Sequence, residues 1–117
     1  MNHLVTGLDL MRRGEYFAAH EELEDAWRAA EPEERDFYQG LVHVTVAWYQ
    51  AGRGNRVGCE RQLAKAARRL GPYAPAHRGL DVAALLAGLD LVEPDLLEKA
   101  VQGDVQPPVP LEEEQQP

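Results

Sequence analysis

The chain has 117 residues, with 20 acidic side chains against 12 Lys or Arg and a formal net charge of −8 at pH 7. This length suits one domain that buries about two thirds of the surface its unfolded chain exposes. The acidic balance, and the lack of a recognition helix or an aromatic stacking platform, argue against nucleic acid as a partner.

The cysteine content excludes two kinds of site. Cys59 is the single cysteine, so one chain can form neither a disulfide nor a cysteine-based zinc site. No apolar run approaches the roughly 20 residues that a membrane span needs, and the N-terminus lacks a basic segment followed by an apolar one. We therefore expect a cytoplasmic protein with no membrane partner, and nothing in the sequence requires a cofactor.

Almost every periodic segment of the chain is helical. Apolar residues at helical spacing predict a first helix up to Gly14, a second to about Ala30 and a third over 33–51. A fourth helix is predicted to begin near Asn55 and to end before Gly71. A loop over 71–79 and two short helices over 80–91 and 94–101 follow.

These segments predict an all-α fold, a compact array of antiparallel helix hairpins with five to six helices. Residues 1–103 are predicted to form one helical domain. Residues 104–117 carry four acids and four prolines, so we expect them to form an acidic, Pro-rich flexible tail.

An internal repeat relates the second and fourth helices at a spacing of 40 positions. Its six matched pairs begin with a glycine and continue with small residues, a leucine and an alanine: Gly14, Phe17, Ala18, Ala19, Leu23 and Ala26 match Gly54, Val57, Gly58, Cys59, Leu63 and Ala66. This pattern is typical of repeated helix hairpins.

The third helix is apolar around most of its circumference, which predicts a central position and leaves surface for a homodimer. Its polar exceptions are Gln39, His43 and Gln50. They either face solvent, or Gln39 and His43 meet His20 and Glu24 of the second helix, which would satisfy all four polar groups.

Ionisable residues interrupt the apolar face of the second helix, which is predicted to be buried. His20 and Glu24 are four residues apart and lie between Trp27 and Phe17 on a helical wheel. Since an unpaired polar group away from water is costly, we expect both side chains to be largely buried and hydrogen-bonded.

Four motifs in succession resemble the signatures of a bacterial and archaeal family called domain of unknown function 309. They are Gly14 to Trp27, Phe37 to Val42, Arg53 to Gly58 and Gly79 to Val82, within a match spanning roughly residues 7–90. The resemblance implies an all-helical domain without an established activity. It also implies these characteristic residues: His20, Glu21, Glu24, Trp27, Gln39, Gly40, Asn55 and Gly58.

A metal site is the sharpest chemical hypothesis, because His20 and Glu24 project from one face of a helix and His43 could add a second nitrogen ligand. A hydrogen-bonded structural His-Glu pair is the competing interpretation and has the greater weight, since buried polar pairs are commonly structural. The chain has no serine, which removes the common serine nucleophile.

The sequence therefore favours a small ligand- or protein-binding module, with an unidentified small molecule or protein as its partner. The residues expected to line its polar pocket are His20, Glu21, Glu24, Trp27, Gln39, His43 and Asn55. The alternative is an enzyme that uses metal-assisted or acid/base chemistry at His20, Glu21 and Glu24, with Trp27 and Trp48 as walls.

Overall fold

A computed structural model of the protein describes residues 2–90, with side chains described for residues 2–87. Five α-helices follow one another in this part of the chain: α1 (His3–Arg12), α2 (Tyr16–Ala29), α3 (Arg35–Gly52), α4 (Arg56–Leu70) and α5 (Val82–Asp90). Short 3-10 turns cover Pro32–Glu34 and Gly71–Tyr73. The predicted all-α fold is confirmed, whereas the predicted helix over 94–101 and the tail 104–117 lie outside the described residues.

None of the helices in the described part of the chain is both long enough and apolar enough to cross a membrane.

Two helix hairpins, α1–α2 and α3–α4, are closed by the same turn. In the first, Gly14 has a φ of 80°, its N–H donates to the Met11 carbonyl, and the N–H of Glu15 donates to the Leu10 carbonyl. In the second, Gly54 has a φ of 77°, and the same two bonds recur 40 residues later. This is the Schellman pattern, in which a left-handed residue ends a helix, and it favours glycine there.

Burial follows the same 40-residue repeat. Leu23 and Leu63 are both buried in the core, and so are Ala19 and its counterpart Cys59. Phe17 is exposed in the first hairpin, as its counterpart Val57 is in the second. The sequence repeat therefore corresponds to a structural repeat of one hairpin.

The α3 helix packs against α2 and against α4. Ten of its residues are buried: Phe37, Tyr38, Gly40, Leu41, Val42, Val44, Thr45, Ala47, Trp48 and Ala51. Trp48 is only 2% exposed, while its neighbour Tyr49 is 41% exposed. The central position predicted for this helix is confirmed, and its own chain covers most of the surface that suggested a dimer.

At Gly40 the backbone of α3 lies against a side chain of α4. A Cβ on this residue would lie 2.5 Å from Cγ of Leu70 and 2.8 Å from its Cδ2. Leu70 is completely buried, so its side chain has little room to move away. Gly40 is thus needed to let the α4 side chain reach the α3 backbone.

Asn55 caps the N-terminus of α4. Its Oδ1 accepts from the backbone N–H of Gly58 at 2.9 Å, and its Nδ2 donates to Oε1 of Gln50 at 3.0 Å. A Cβ at residue 58 would lie 2.6 Å from the Asn55 Nδ2, so glycine lets the cap close. Asn55 is therefore structural, contrary to its predicted place in a ligand pocket.

The segment after α4 is tied to the start of α3 through Glu34. One Glu34 carboxylate oxygen accepts from Nε2 of His77 at 2.7 Å and from Nε of Arg78 at 2.5 Å. The Arg78 guanidinium and the His77 imidazole hold the pKa of Glu34 below its usual range. The ring of Phe37 packs against Tyr73 and His77, which completes this contact.

Gly40→Ala is expected to lower the free energy of unfolding by about 1 to 2 kcal/mol, because overpacking against Leu70 outweighs the better helix propensity of the new residue. Gly52→Ala is the matched control, since nothing lies within 4 Å of a Cβ at that α3 position. It should leave stability unchanged or raise it slightly. Urea titration of both variants measures the difference, and a stable Gly40→Ala protein would contradict the close approach.

Asn55→Ala is expected to destabilise the protein by about 1 kcal/mol, the usual cost of a lost N-cap acceptor. Asn55→Asp keeps that acceptor and should lose less, since an acid also favours a helix N-terminus. Thermal unfolding of the two variants compares them. Equal losses would show that the bond to Gln50, rather than the cap, supplies the stability.

Glu34→Gln is expected to destabilise the protein at neutral pH and to matter less in acid. The lowered pKa of Glu34 means that its contribution is present above about pH 4.3, the usual glutamate value, and is lost as pH falls through the folded-state pKa. The difference in melting temperature between wild type and variant should therefore shrink as the pH is lowered below the usual glutamate pKa. A difference independent of pH would refute a role for the carboxylate charge.

Candidate functional site

A cleft of about 250 Å³ opens between α2 and α3, and we call it the aromatic cleft. The aromatic residues Tyr16 and Phe17 line the cleft from α2, and Tyr49 lines it from α3. Its full lining is Tyr16, Phe17, His20, Thr45, Val46, Tyr49 and Gln50. Two of these side chains are unusually open for aromatic residues, since Phe17 is 71% exposed and Tyr49 is 41% exposed. The cleft is therefore an accessible apolar surface with polar groups at its edge.

His20 is the only predicted pocket residue that lines the aromatic cleft. Its Nε2 lies 3.6 Å from Oε2 of Glu24, and each side chain is 33% exposed. The two side chains face each other as expected, but this distance is too long for a hydrogen bond, and both side chains are only partly buried. Glu24 also accepts from Arg28 at 3.3 Å, which an edge position on α2 permits.

Gln50 and the Tyr49 hydroxyl give the α3 side of the cleft its polar edge, and Arg53 contacts Tyr49. The Arg53 guanidinium lies 5.6 Å from the centre of the Tyr49 ring, and its Nη1 donates to the Tyr49 hydroxyl at 3.1 Å. Gln50 uses its Oε1 to accept from Asn55. The hydroxyl of Thr45 is satisfied by the Leu41 carbonyl at 3.1 Å, so it is already engaged within the helix.

Two other predicted pocket residues on α2 do not line the cleft. Glu21 is exposed to solvent. Trp27 is partly buried against the core, and the guanidinium of Arg35 lies 4.8 Å from the centre of its ring. Trp27 therefore joins α2 to the start of α3. Trp48 lies inside the core, so neither tryptophan is a wall of the cleft.

Gln39 and His43 face α4, away from His20 and Glu24. They line a second, more polar groove of about 420 Å³ between α3 and α4, which we call the basic groove. Its remaining lining residues are charged: Asp36, Lys65, Arg68 and Arg69. The predicted meeting of Gln39 and His43 with His20 and Glu24 is wrong, because the two pairs project from α3 and α2 towards different neighbours.

Metal ligands are not assembled at the predicted positions, since His43 belongs to the basic groove and His20 to the aromatic cleft. Within the described residues, one other trio has ligand atoms within 4.8 Å of one another: His3, Glu22 and Asp25. Nδ1 of His3 is 2.9 Å from Oε1 of Glu22, and Asp25 accepts from Arg28 at 2.9 Å. Hydrogen bonds within the protein therefore account for this trio.

Cys59 is buried at the α4 position equivalent to Ala19, as its place in the repeat predicts. Desolvation raises the pKa of its thiol to about 11. A thiol with such a pKa carries almost no thiolate at neutral pH, so Cys59 is not a nucleophile in this fold.

Sequence reasoning missed Tyr16, Phe17, Tyr49 and Gln50 as lining residues of the cleft. A signal was present, because Tyr16 and Phe17 are adjacent in a helix, and adjacent residues point about 100° apart. On α2, two such rings cannot both point at a core that lies on one side of the helix, although α3, which packs on two sides, buries both Phe37 and Tyr38. Near the end of α3, Trp48 is buried and its neighbour Tyr49 is the exposed ring.

The comparisons with known proteins agree with the resemblance in the sequence. No curated protein and no solved structure was found to match the chain. A family model described as a domain of unknown function, DUF309, matches residues 4–62, which include α1, α2, α3 and the beginning of α4. Because this match covers half of the chain, the protein belongs to the DUF309 family.

Proposed function

We propose that the protein is a binding module and that the aromatic cleft receives one ring-sized group of a small molecule or a partner protein. The observation that carries this proposal is the pair of exposed aromatic side chains, Phe17 and Tyr49, beside a cleft between two packed helices. Accessible aromatic residues of this kind are enriched where proteins bind partners and ligands.

The size of the cleft supports a small occupant. Its volume of about 250 Å³ is below the range of roughly 300 to 1,000 Å³ that is typical of pockets for whole drug-sized ligands or cofactors. One aromatic or branched aliphatic group fits this space. The rest of the ligand would then lie outside the cleft, over the exposed ring of Phe17.

The polar edge of the cleft supports an occupant with a hydrogen-bonding group. His20 offers an imidazole from α2, while the Tyr49 hydroxyl and the Gln50 amide lie on α3. Each of these groups can donate or accept a hydrogen bond in at least one protonation state or orientation. A phenol, an indole or a similar ring with one polar atom matches this arrangement.

An acid/base enzyme is the second candidate, and one observation favours it. The contact of 3.6 Å between His20 Nε2 and Glu24 Oε2 places an imidazole next to a carboxylate at the edge of an apolar cleft. Such a pair can move a proton to or from a bound substrate. The metal-assisted version has no comparable support, because His43 lies in the other groove and Glu21 is exposed.

A homodimer stays a prediction. The sequence predicted a dimer because α3 was expected to have too few neighbours to cover its apolar surface. In the structure, Tyr49 is the one large apolar residue of α3 that is well exposed. Among the described residues, the other large apolar side chains that are exposed are Val5, Phe17 and Val57, which lie on other helices. Within this part of the chain, the exposed apolar surface open to a dimer therefore lies at the rim of the aromatic cleft and on α1 and α4, and not along the body of α3.

Indole and p-cresol are suitable probes of the proposal, since they carry one ring and one polar atom. In two-dimensional amide NMR of the wild-type protein, millimolar probe should shift residues of α2 and α3 around the cleft. Tyr49→Ala removes one aromatic wall and should weaken this binding about fivefold. Val57→Ala is the matched control, because Val57 is also exposed and apolar but lies on α4.

Shifts spread over the whole surface, or equal weakening in the two variants, would refute the cleft as the binding site. His20→Gln separates the two candidate functions once a ligand is known. Turnover of that ligand is the measurement that separates them, because affinity should survive in both cases. An enzyme turns the ligand over as wild type and loses this turnover in His20→Gln, since glutamine cannot take up or release a proton at neutral pH. A binding module shows no turnover in either protein.

A further inference from the structure

We propose that the basic groove between α3 and α4 is an anion site that binds a small phosphate-bearing molecule. The site is separate from the aromatic cleft, shares none of its lining residues and does not depend on the function proposed there. It combines positive charge from α4 with neutral hydrogen-bonding groups from α3.

The charge of the groove comes from one side of α4. This helix carries five bases and one acid in a chain whose formal net charge is −8. Lys65, Arg68 and Arg69 recur every one to three residues and line the groove together. The protein thus concentrates positive charge on one face although its overall charge is negative, which is how a site attracts an anion selectively.

Two of these bases have no anionic partner among the residues that the structure describes. Arg69 donates to Asp36 at 2.7 Å, so its charge is compensated by α3. Lys65 and Arg68 are exposed, and neither has a hydrogen-bond or ion-pair partner within the described residues. A bound phosphate would supply the missing negative charge, and arginine and lysine are the residues that commonly bind it.

The opposite wall of the groove lies on α3 and carries the amide of Gln39 and the imidazole of His43 beside the carboxylate of Asp36. Nδ1 of His43 lies 2.7 Å from Oε1 of Gln62, an oxygen that can only accept, so Nδ1 carries the proton. Burial, and the nearby charges of Arg69, Lys65 and Arg68, lower the pKa of His43. The imidazole is therefore neutral at pH 7 in the free protein.

A bound anion should reverse this effect on His43. The charged groups around the imidazole are Asp36 on its own helix and Lys65, Arg68 and Arg69 on α4. Because the three bases outnumber the one acid, an anion seated among them would offset their repulsion and raise the pKa of His43. The histidine thus reports on occupancy of the groove even if it does not touch the ligand.

The dimensions of the groove favour a small molecule over a polymer. Its volume of about 420 Å³ lies within the usual range for small-molecule sites. Asp36 stands in the groove as a negative charge, which places the anion at the Lys65 and Arg68 end. A long polyanion running the length of the groove would meet that carboxylate.

The test is a titration of the full chain with inorganic pyrophosphate, with sodium chloride adjusted to keep ionic strength constant. NMR should show shifts of the Gln39 and Gln62 side-chain amides and a higher pKa for His43. Arg68→Gln should weaken binding about tenfold, the loss expected for one charge-assisted hydrogen bond. Arg13→Gln removes the same charge from an exposed arginine outside the groove and should bind as wild type does.

Three outcomes would overturn the proposal. The first is an equal loss of pyrophosphate affinity in Arg13→Gln and Arg68→Gln, which would mean that binding depends only on the net charge of the protein. The second is saturation of the protein without any change in the pKa of His43. The third is tighter binding of a hexaglutamate peptide than of pyrophosphate, which would assign the groove to an acidic protein segment. Both substitutions are at exposed positions, so folded protein is expected in each case.

Discussion

The packing of α3 between α2 and α4 is the constraint on which the rest of the structure depends. A helix with ten buried residues needs neighbours on two sides, and the chain supplies them with two hairpins of the same design. Each neighbour covers the body of α3 but leaves an open space along the line of contact. This space is the aromatic cleft beside α2 and the basic groove beside α4. Both candidate sites are therefore products of one packing arrangement with two different flanking helices.

The fold could be predicted from the sequence because its determinants are local. Gly14 and Gly54 end α1 and α3 by adopting a positive φ, which other residues rarely do. Pro32 follows the end of α2. The 40-residue repeat was also visible, since a helix position that is buried in one hairpin is buried in the other.

The site was less predictable. A helical wheel tells which residues share a face, but it does not tell which neighbour covers that face. His43 was correctly identified as polar on an apolar helix, yet its partner Gln62 comes from α4.

Several residues that carry the family resemblance have a structural explanation. Gly40 admits Leu70, and Asn55 with Gly58 forms the cap of α4. Each of these three requirements is steric or geometric and would apply to any member with the same helix packing. His20 and Glu24 differ from them, because a contact of 3.6 Å between two side chains that are each 33% exposed contributes little to stability. Packing alone gives no sufficient reason for these two motif residues, nor for Glu21, which is exposed.

The burial of Cys59 has a practical consequence for spectroscopy. A thiol that is 1% exposed, with its pKa raised to about 11, reacts slowly with maleimides and other thiol reagents while the fold is intact. A second cysteine introduced on an exposed turn would therefore take up a fluorophore or a spin label selectively. With one such cysteine on a turn of each hairpin, distances between the two hairpins can be measured without replacing Cys59 in the core.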